Sequence, residues 1–154
     1  ANVPVKLIVR GICCLVPGVP GTSEHITVIS IVGQLLEHSR IFRFENAGNP
    51  KIFMGSADWM PRNLDRRVEL VFPIEDPDLK ERAFSILDLM LEDTTNARTQ
   101  LSDTTYVHVD RRGKAVCNCQ REFSKLAQAA VKSKEGVSED QPFVPIRSAD
   151  LKND

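Results

Sequence analysis

Residues 5–15 read VKLIVRGICCL, an almost continuous apolar run that is rich in β-branched side chains. Runs of this kind are typical of a strand that is buried on both faces of a parallel or mixed sheet. Arg10 and Gly11 interrupt the run. Because a guanidinium is costly to bury unless an anion or a carboxylate meets it, we interpret Arg10 as a candidate anion ligand.

The sequence after this run alternates between loop, strand and helix patterns. Two Pro-Gly pairs predict a loop, after which we expect an extended segment at residues 26–29 and a short helix at residues 30–37. RIFRF, residues 40–44, alternates basic and apolar side chains, as a strand with one solvent-facing or ligand-facing side would. KIFMGSA, residues 51–57, is predicted to be its antiparallel partner across a turn.

The second half of the chain contains two helix patterns. A strand is predicted at residues 65–75, broken by Pro73. An Asp-Pro pair then predicts a helix start, and apolar side chains repeat at helical spacing over residues 76–92. A hairpin is expected at residues 105–116 and a second amphipathic helix at residues 119–131. The predicted fold class is therefore α/β, with a mixed β-sheet flanked by α-helices.

Length and composition fit a single domain. The chain has 154 residues, of which 42% are apolar and 27% charged, as expected for one hydrophobic core. We place the domain at residues 1–132 and a flexible tail, rich in Ser, Lys, Glu and Pro, at residues 133–154. No secretory signal pattern is present, and no apolar run approaches the ~18 residues that cross a bilayer.

The four cysteines form a vicinal pair, Cys13 and Cys14, and a C-x-C pair, Cys117 and Cys119. Neither spacing is typical of a zinc site or of a C-x-x-C motif. We interpret them as buried or unreactive thiols in preference to metal ligands or a disulfide. Free thiols favour a cytoplasmic location.

Charge is unevenly distributed along the chain. The formal net charge of -1 predicts no overall attraction to nucleic acid. Nevertheless, Arg62, Arg66 and Arg67 lie within one six-residue stretch. This stretch is either an anion-binding surface or a solvated charged edge, and composition does not separate the two.

A candidate site surrounds His38, which stands between a predicted helix and a predicted strand. In an extended chain Arg40 lies on the same face as His38, because positions two apart share a face. Across the predicted hairpin, Gly55 and Ser56 could offer N–H groups and a hydroxyl to an oxyanion, while Asp58 could orient the imidazole or an arginine. The alternative is that the histidine is a satisfied surface or core group.

The residues that follow this hairpin allow two interpretations. Trp59 and Met60 are interpreted as core side chains, with an apolar wall or a surface for a nucleotide base as the alternative. Arg62 follows a proline, which stiffens the turn, so its guanidinium would lose little entropy on binding phosphate. No P-loop, G-x-G-x-x-G or H-E-x-x-H motif is present.

Three motifs of the chain resemble one known family. RGICCL-x-PG-x-PG, SIVG-x-x-LEHSRI and GSADWMPRNLDRRVE occur in the order and with the spacing of the C-terminal part of bacterial polyphosphate kinase. Weaker similarity continues through NAR, residues 96–98, and CQREFSKLA. The chain is thus similar to that family over residues 4–131.

The resemblance implies an enzyme that reversibly transfers the terminal phosphate of ATP to inorganic polyphosphate through a phosphohistidine, with Mg²⁺. Its catalytic half has two phospholipase D-like domains, each with a histidine at a shared cleft, and this chain resembles the second. The phosphorylated histidine and the Mg²⁺ ligands are therefore expected in a preceding domain, and the isolated chain is expected to be inactive.

The resemblance also implies partners. These are ATP, ADP, polyphosphate, the remaining domains of the same enzyme and further copies in a homo-oligomer; no nucleic acid is expected. The location implied is cytoplasmic, with membrane association of the full enzyme left open.

Carried over by motif, His38 resembles the second cleft histidine, a catalytic acid/base and phosphate contact, and Arg10 resembles the arginine that binds the ATP phosphates. Arg62 is added as a ligand on the polyphosphate path. The superfamily motif H-x-K reads His38-Ser39-Arg40 here, which makes a phospholipase D-type phosphodiesterase doubtful. That activity and a non-catalytic polyanion-binding module are the two alternatives.

Overall fold

The computed structural model describes residues 2–134. One compact unit comprises Ala1–Glu122, and a second begins at Phe123. None of the helices between residues 2 and 134 combines the length and the apolar character of a membrane-spanning segment. Apart from its first two residues, which continue the last helix, the tail predicted at residues 133–154 lies outside the described residues.

The described chain contains both strands and helices, and it begins with three successive strands. The strands are β1 (Val5–Ile8), β2 (Ile26–Ile31), β3 (Ile41–Phe44), β4 (Lys51–Gly55), β5 (Val71–Pro73), β6 (Ala97–Gln100) and β7 (Tyr106–His108). The helices are α1 (Pro61–Leu64), α2 (Pro77–Leu91) and α3 (Cys119–Lys134), with a 3₁₀ turn at Asn46–Gly48. The expected α/β class is confirmed.

The first sheet is mixed, with the strand order β1-β2-β6-β7. β1 pairs with β2 in parallel, and the other two pairings are antiparallel. Val28, Ile31 and Ala97 form the buried centre of this sheet. The prediction that this strand is buried on both faces was wrong. β1 is an outer strand of the sheet, and its first two residues are exposed.

The second sheet is antiparallel, with the order β3-β4-β5. The hairpin predicted from RIFRF and KIFMGSA is confirmed, with Ile41 opposite Met54. Ile52 is fully buried in this sheet. β5 starts only at Val71 and keeps Pro73 as its last residue, which an outer strand tolerates because one edge needs no N–H donors.

Helix α2 packs on this second sheet through contacts with β3 and β4. Its predicted start is confirmed: the Asp76 carboxylate accepts a hydrogen bond from the Leu79 N–H at 2.9 Å, and Pro77 opens the first turn. Arg43 of β3 donates to Asp88 at 3.0 Å and lies 4.7 Å from the centre of the Phe84 ring. These contacts tie the helix to the strand that follows the candidate site.

Two predicted elements were wrong. Residues 30–37 are not helical, because β2 continues to Ile31, whose partner in β6 is Ala97, and the segment at residues 32–40 is irregular. The hairpin within residues 105–116 does not form either. Instead β7 pairs with β6, a strand that the sequence interpretation missed.

A buried carboxylate joins β6 to α3. Asp93 accepts hydrogen bonds from the N–H groups of Asn96 at 2.6 Å, Ala97 at 2.9 Å and Cys119 at 2.8 Å. Burial raises the pKa of Asp93, but the hydrogen bonds from Cys119, Asn96 and Ala97 outweigh burial and leave that pKa below its usual value. The first turn of α3 is thus fixed to the core of the mixed sheet.

Candidate phosphate-binding site

The candidate site lies where the ends of several strands meet. Arg10 follows β1 by two residues, and His38 and Arg40 end the irregular segment that leads into β3. Asp58 follows β4 by three residues. Strands of both sheets therefore deliver the four side chains to one place, which we call the Asp58 cluster.

Asp58 is the centre of this cluster. Its Oδ1 accepts a hydrogen bond from Arg40 Nε at 3.0 Å and forms an ion pair with Arg40 Nη2, also at 3.0 Å. Its Oδ2 lies 3.6 Å from Arg10 Nη2. The hydrogen bond from Arg40 lowers the pKa of Asp58, helped by the charges of Arg40, Arg10 and His38 and only partly opposed by burial.

His38 is joined to the cluster by Arg40 and by the backbone. Arg40 Nη1 lies 3.0 Å from His38 Nδ1 and donates to the His38 carbonyl at 3.1 Å. Arg10 Nη1 donates to the carbonyl of Glu37, the preceding residue, at 3.1 Å. Arg10 and His38, both predicted as site residues, therefore lie together on one surface.

The two guanidiniums differ in how many of their donors are already used. Arg40 is only 16% exposed, and it donates to the Asp58 carboxylate and to His38 from all three nitrogens. Arg10 is 33% exposed and makes one hydrogen bond, to the Glu37 carbonyl, within residues 2–134. Since a guanidinium has five N–H donors, Arg10 has donors left for an oxyanion, whereas Arg40 mainly organises the cluster.

An open cavity of about 370 Å³ adjoins this cluster. Arg10, Gly11 and residues 30–37 line it. A bound anion here would meet Arg10, a cationic residue of the lining. Charged hydrogen bonds between arginine and phosphate are about twice as strong as neutral ones.

The oxyanion donors predicted at Gly55 and Ser56 were wrong. The Gly55 N–H donates to the Arg40 carbonyl at 3.0 Å, and the Ser56 N–H donates to the Leu70 carbonyl at 3.0 Å. The Ser56 hydroxyl donates to the Glu69 carboxylate. These donors are engaged in pairing β4 with its neighbours and are not free for a ligand.

Trp59 and Met60 are not core residues, contrary to the favoured interpretation. Trp59 is 75% exposed and stacks on Phe42, with the ring centres 5.4 Å apart and the planes 16° apart. Met60 is exposed as well. An apolar wall or a surface for a base stays a prediction.

Arg62 lies apart from the hydrogen bonds of the cluster. It is exposed on α1, and within the described part of the chain it forms no hydrogen bond or ion pair through its side chain. Arg66 and Arg67 are exposed too. The structure thus shows an exposed basic stretch after β4.

One contact of the site could not be found from the sequence. The Glu37 carbonyl accepts a hydrogen bond from Arg10, and a backbone carbonyl leaves no signature in the sequence.

The described residues do not make a metal site. No group of three or more His, Cys, Asp or Glu side chains between residues 2 and 134 is arranged to hold a metal ion. The Asp58 carboxylate of the cluster is engaged by Arg40 and Arg10. These residues therefore do not fit Mg²⁺ by themselves.

Fold and site define an α/β domain of the phospholipase D-like type with a cationic, phosphate-compatible cluster. The model of the family "Polyphosphate kinase C-terminal domain 2" matches residues 1–120. The chain belongs to this family, as the motif resemblance had predicted.

Relatives and a solved structure agree with this assignment. The chain is 47% identical to the polyphosphate kinase of Lactiplantibacillus plantarum over 96% of its own length and 21% of that relative, and 59% identical to one from Synechocystis over 70% and 15%. The crystal structure of polyphosphate kinase from Porphyromonas gingivalis matches with a TM-score of 0.79 and 37% identity, covering 85% of this chain and 20% of that one. The chain spans about a fifth of the length of the first of these relatives and of the solved structure.

Proposed function

We propose that this chain supplies one wall of the catalytic centre of a polyphosphate kinase, an ATP:polyphosphate phosphotransferase. The observation that carries the proposal is that Arg10 and His38 both lie in the Asp58 cluster, where Arg10 has N–H donors left to bind phosphate. The named relatives, of which this chain spans a small part, support the substrate class: ATP or ADP and inorganic polyphosphate.

The transfer proceeds through a histidine on a preceding domain. The bond between the terminal phosphorus of ATP and its bridging oxygen breaks, releasing ADP, as a bond from that phosphorus to the histidine nitrogen forms. The phosphorus–nitrogen bond then breaks as a terminal oxygen of polyphosphate bonds to the phosphorus, which lengthens the polymer by one phosphate and frees the histidine. Such transfers depend on in-line positioning and on neutralising the phosphate oxygens. Arg10 neutralises these oxygens, and His38 donates or accepts a proton beside them.

Mg²⁺ would help to neutralise the phosphates when bound, but its ligands belong to the preceding domain. The carboxylate of Asp58 keeps Arg10 and Arg40 in place instead of holding a metal. Each role given to this chain therefore involves its own guanidinium and imidazole groups.

The exposed stretch that contains Arg62 is assigned to the polyphosphate path. Arg62, Arg66 and Arg67 are all exposed there, and they follow Asp58 in the sequence. Successive phosphates of a linear polyanion could contact successive guanidiniums, since each binds phosphate at two points.

The geometry favours this transfer over hydrolysis of a phosphodiester. A guanidinium cannot give up its proton at neutral pH, and Arg40, which replaces the lysine of H-x-K, is held between Asp58 and His38. Arg40 therefore acts as a fixed positive charge. Hydrolysis of a bis-substituted phosphate ester by the full enzyme would favour the phosphodiesterase instead.

Titration calorimetry with tripolyphosphate tests the phosphate-binding role in the 154-residue chain. Arg10→Ala should weaken binding about ten- to hundredfold, since charged hydrogen bonds contribute about 1.5 to 3 kcal/mol. Arg112→Ala is the matched control, because Arg112 is exposed and pairs with Asp110 outside the cluster. Equal affinities for the two variants would overturn the proposal.

A further inference from the structure

The segment that carries His38 is bound by the side chain of Gln120, which belongs to helix α3. The Leu35 N–H donates to Gln120 Oε1 at 3.0 Å, and Gln120 Nε2 donates back to the Leu35 carbonyl at 2.8 Å. The second hydrogen of the same nitrogen reaches Glu37 Oε1 at 2.6 Å. A single amide thus pairs with Leu35 as a neighbouring strand would and also fixes Glu37.

The origin of this amide is rigid. Gln120 is the second residue of α3, and the first, Cys119, is fully buried with its N–H bound to the buried Asp93 carboxylate. Gln120 therefore projects from a fixed point.

Apolar packing does little to hold the same segment. Leu35 and Leu36 are 65% and 72% exposed, so neither side chain anchors the backbone in the core. The Val32 N–H donates to the Asn96 carbonyl at the start of the segment, and Arg10 meets the Glu37 carbonyl near its end. Between these points the hydrogen bonds to Gln120 are the main restraint.

The residue at position 33 also bears on this contact, because only a residue without a side chain leaves space for the Gln120 amide there. A Cβ on Gly33 would overlap Gln120 Oε1 and would lie 2.7 Å from Gln120 Cδ, closer than these atoms can approach. The φ angle of Gly33 is not in the left-handed region, so its backbone alone does not require glycine. The absence of a side chain makes room for the Gln120 amide.

We propose that Gln120 is a positioning residue for the phosphate-binding site. By fixing Leu35 and Glu37, it presents the Glu37 carbonyl to Arg10 and sets the place of His38, the next residue. The claim that Gln120 strengthens phosphate binding rests on the proposed function. The claim that Gln120 fixes the backbone of the segment before His38 rests on the geometry alone.

Two readouts on the 154-residue chain test this: amide hydrogen exchange at Leu35 by NMR, and tripolyphosphate affinity by calorimetry. Gln120→Ala should accelerate exchange at Leu35 and weaken tripolyphosphate binding, each roughly five- to tenfold. Its melting temperature should stay within about 3 °C of the parent, as expected for loss of a local restraint. The matched control is Gln128→Ala, an exposed glutamine on the same helix.

Gly33→Ala should reproduce both effects by displacing the amide, and the double variant should be no worse than either single variant, because both changes remove one contact. Unchanged exchange at Leu35 in Gln120→Ala would overturn the inference. The inference would also be overturned if Gln120→Ala exchanged faster at Leu35 but bound tripolyphosphate with unchanged affinity, while Arg10→Ala weakened binding. The proposed function would stand in that case. If Arg10→Ala has no effect either, both proposals fall.

Discussion

The Arg10 guanidinium donates to the Glu37 carbonyl at 3.1 Å, across 27 positions of sequence, and so joins the end of β1 to the residue before His38. The same guanidinium reaches Asp58 Oδ2 at 3.6 Å. A planar group with several donors is suited to spanning a carbonyl, a carboxylate and an incoming anion together.

Arg10→Lys should therefore fail to restore phosphate binding. An ammonium is a compact charge on a flexible stem and cannot reach the Glu37 carbonyl, Asp58 and a phosphate in the same geometry. We expect tripolyphosphate affinity in calorimetry to fall to within about threefold of Arg10→Ala, while Arg112→Lys binds as the parent does. Full binding by Arg10→Lys would show that charge alone is sufficient.

His38→Ala should reduce turnover far more than stability in a polyphosphate kinase that contains this domain. The side chain is exposed, so its loss leaves no cavity, whereas a lost acid/base group costs about a hundredfold or more in rate. Steady-state synthesis of polyphosphate, measured beside the melting temperature, checks the expectation. His108→Ala, an exposed histidine on β7, is the control, and near-normal turnover of His38→Ala would remove this residue from the mechanism.

The 154-residue chain alone should bind tripolyphosphate but make no polyphosphate. Its described residues contain the Asp58 cluster, whereas the phosphorylated histidine is assigned to a preceding domain. Incubation with radiolabelled ATP, followed by electrophoresis for polyphosphate and for acid-labile phosphoprotein, tests this. Phosphohistidine or chain elongation with this chain alone would contradict it.

Sequence patterns located the charged residues of the site better than its backbone. Arg10 interrupts an apolar strand pattern, and His38 stands between a predicted helix and a predicted strand, so both could be identified as candidates. An arginine was one of the two partners predicted for the Asp58 carboxylate. The state of the Gly55 and Ser56 N–H groups could not be foreseen. It depends on the Arg40 and Leu70 carbonyls opposite them, which only strand pairing brings there.

The same distinction applies to the fold. Helix α2 could be predicted because Asp76 and Pro77 mark its start locally. Residues 30–37 could not, because β6 was not recognised in the sequence and its backbone pairs with Ser30 and Ile31. Non-local hydrogen bonds decided the conformation at that position over local helical spacing.

Asp93→Ala should strongly destabilise the fold. It leaves the N–H groups of Asn96, Ala97 and Cys119 without their acceptor, and those of Ala97 and Cys119 are buried. We therefore expect a loss of about 3 kcal/mol or more in the free energy of unfolding. Asp103→Ala is the control, because Asp103 serves Thr105 in an exposed turn. Denaturant titration of both variants measures the difference. A loss for Asp93→Ala no larger than that for the control would show that these hydrogen bonds are dispensable.

The Asp58 cluster should weaken in acid. The pKa of Asp58 is lowered in the folded chain by the hydrogen bond from Arg40 and by the nearby charges, so the folded state favours the carboxylate. Its contribution to stability is therefore complete above the unfolded pKa of about 3.9 and is lost as pH falls from there through the lower folded pKa. Asp58→Asn lacks this titration, so the difference in unfolding free energy between parent and variant should shrink as the pH is lowered from about 6 to about 3.

Denaturant unfolding at several pH values measures that difference, with Asp76→Asn as a control that removes a carboxylate outside the cluster. A difference that stays constant over this range would show that Asp58 is not held as a carboxylate by Arg40 and Arg10.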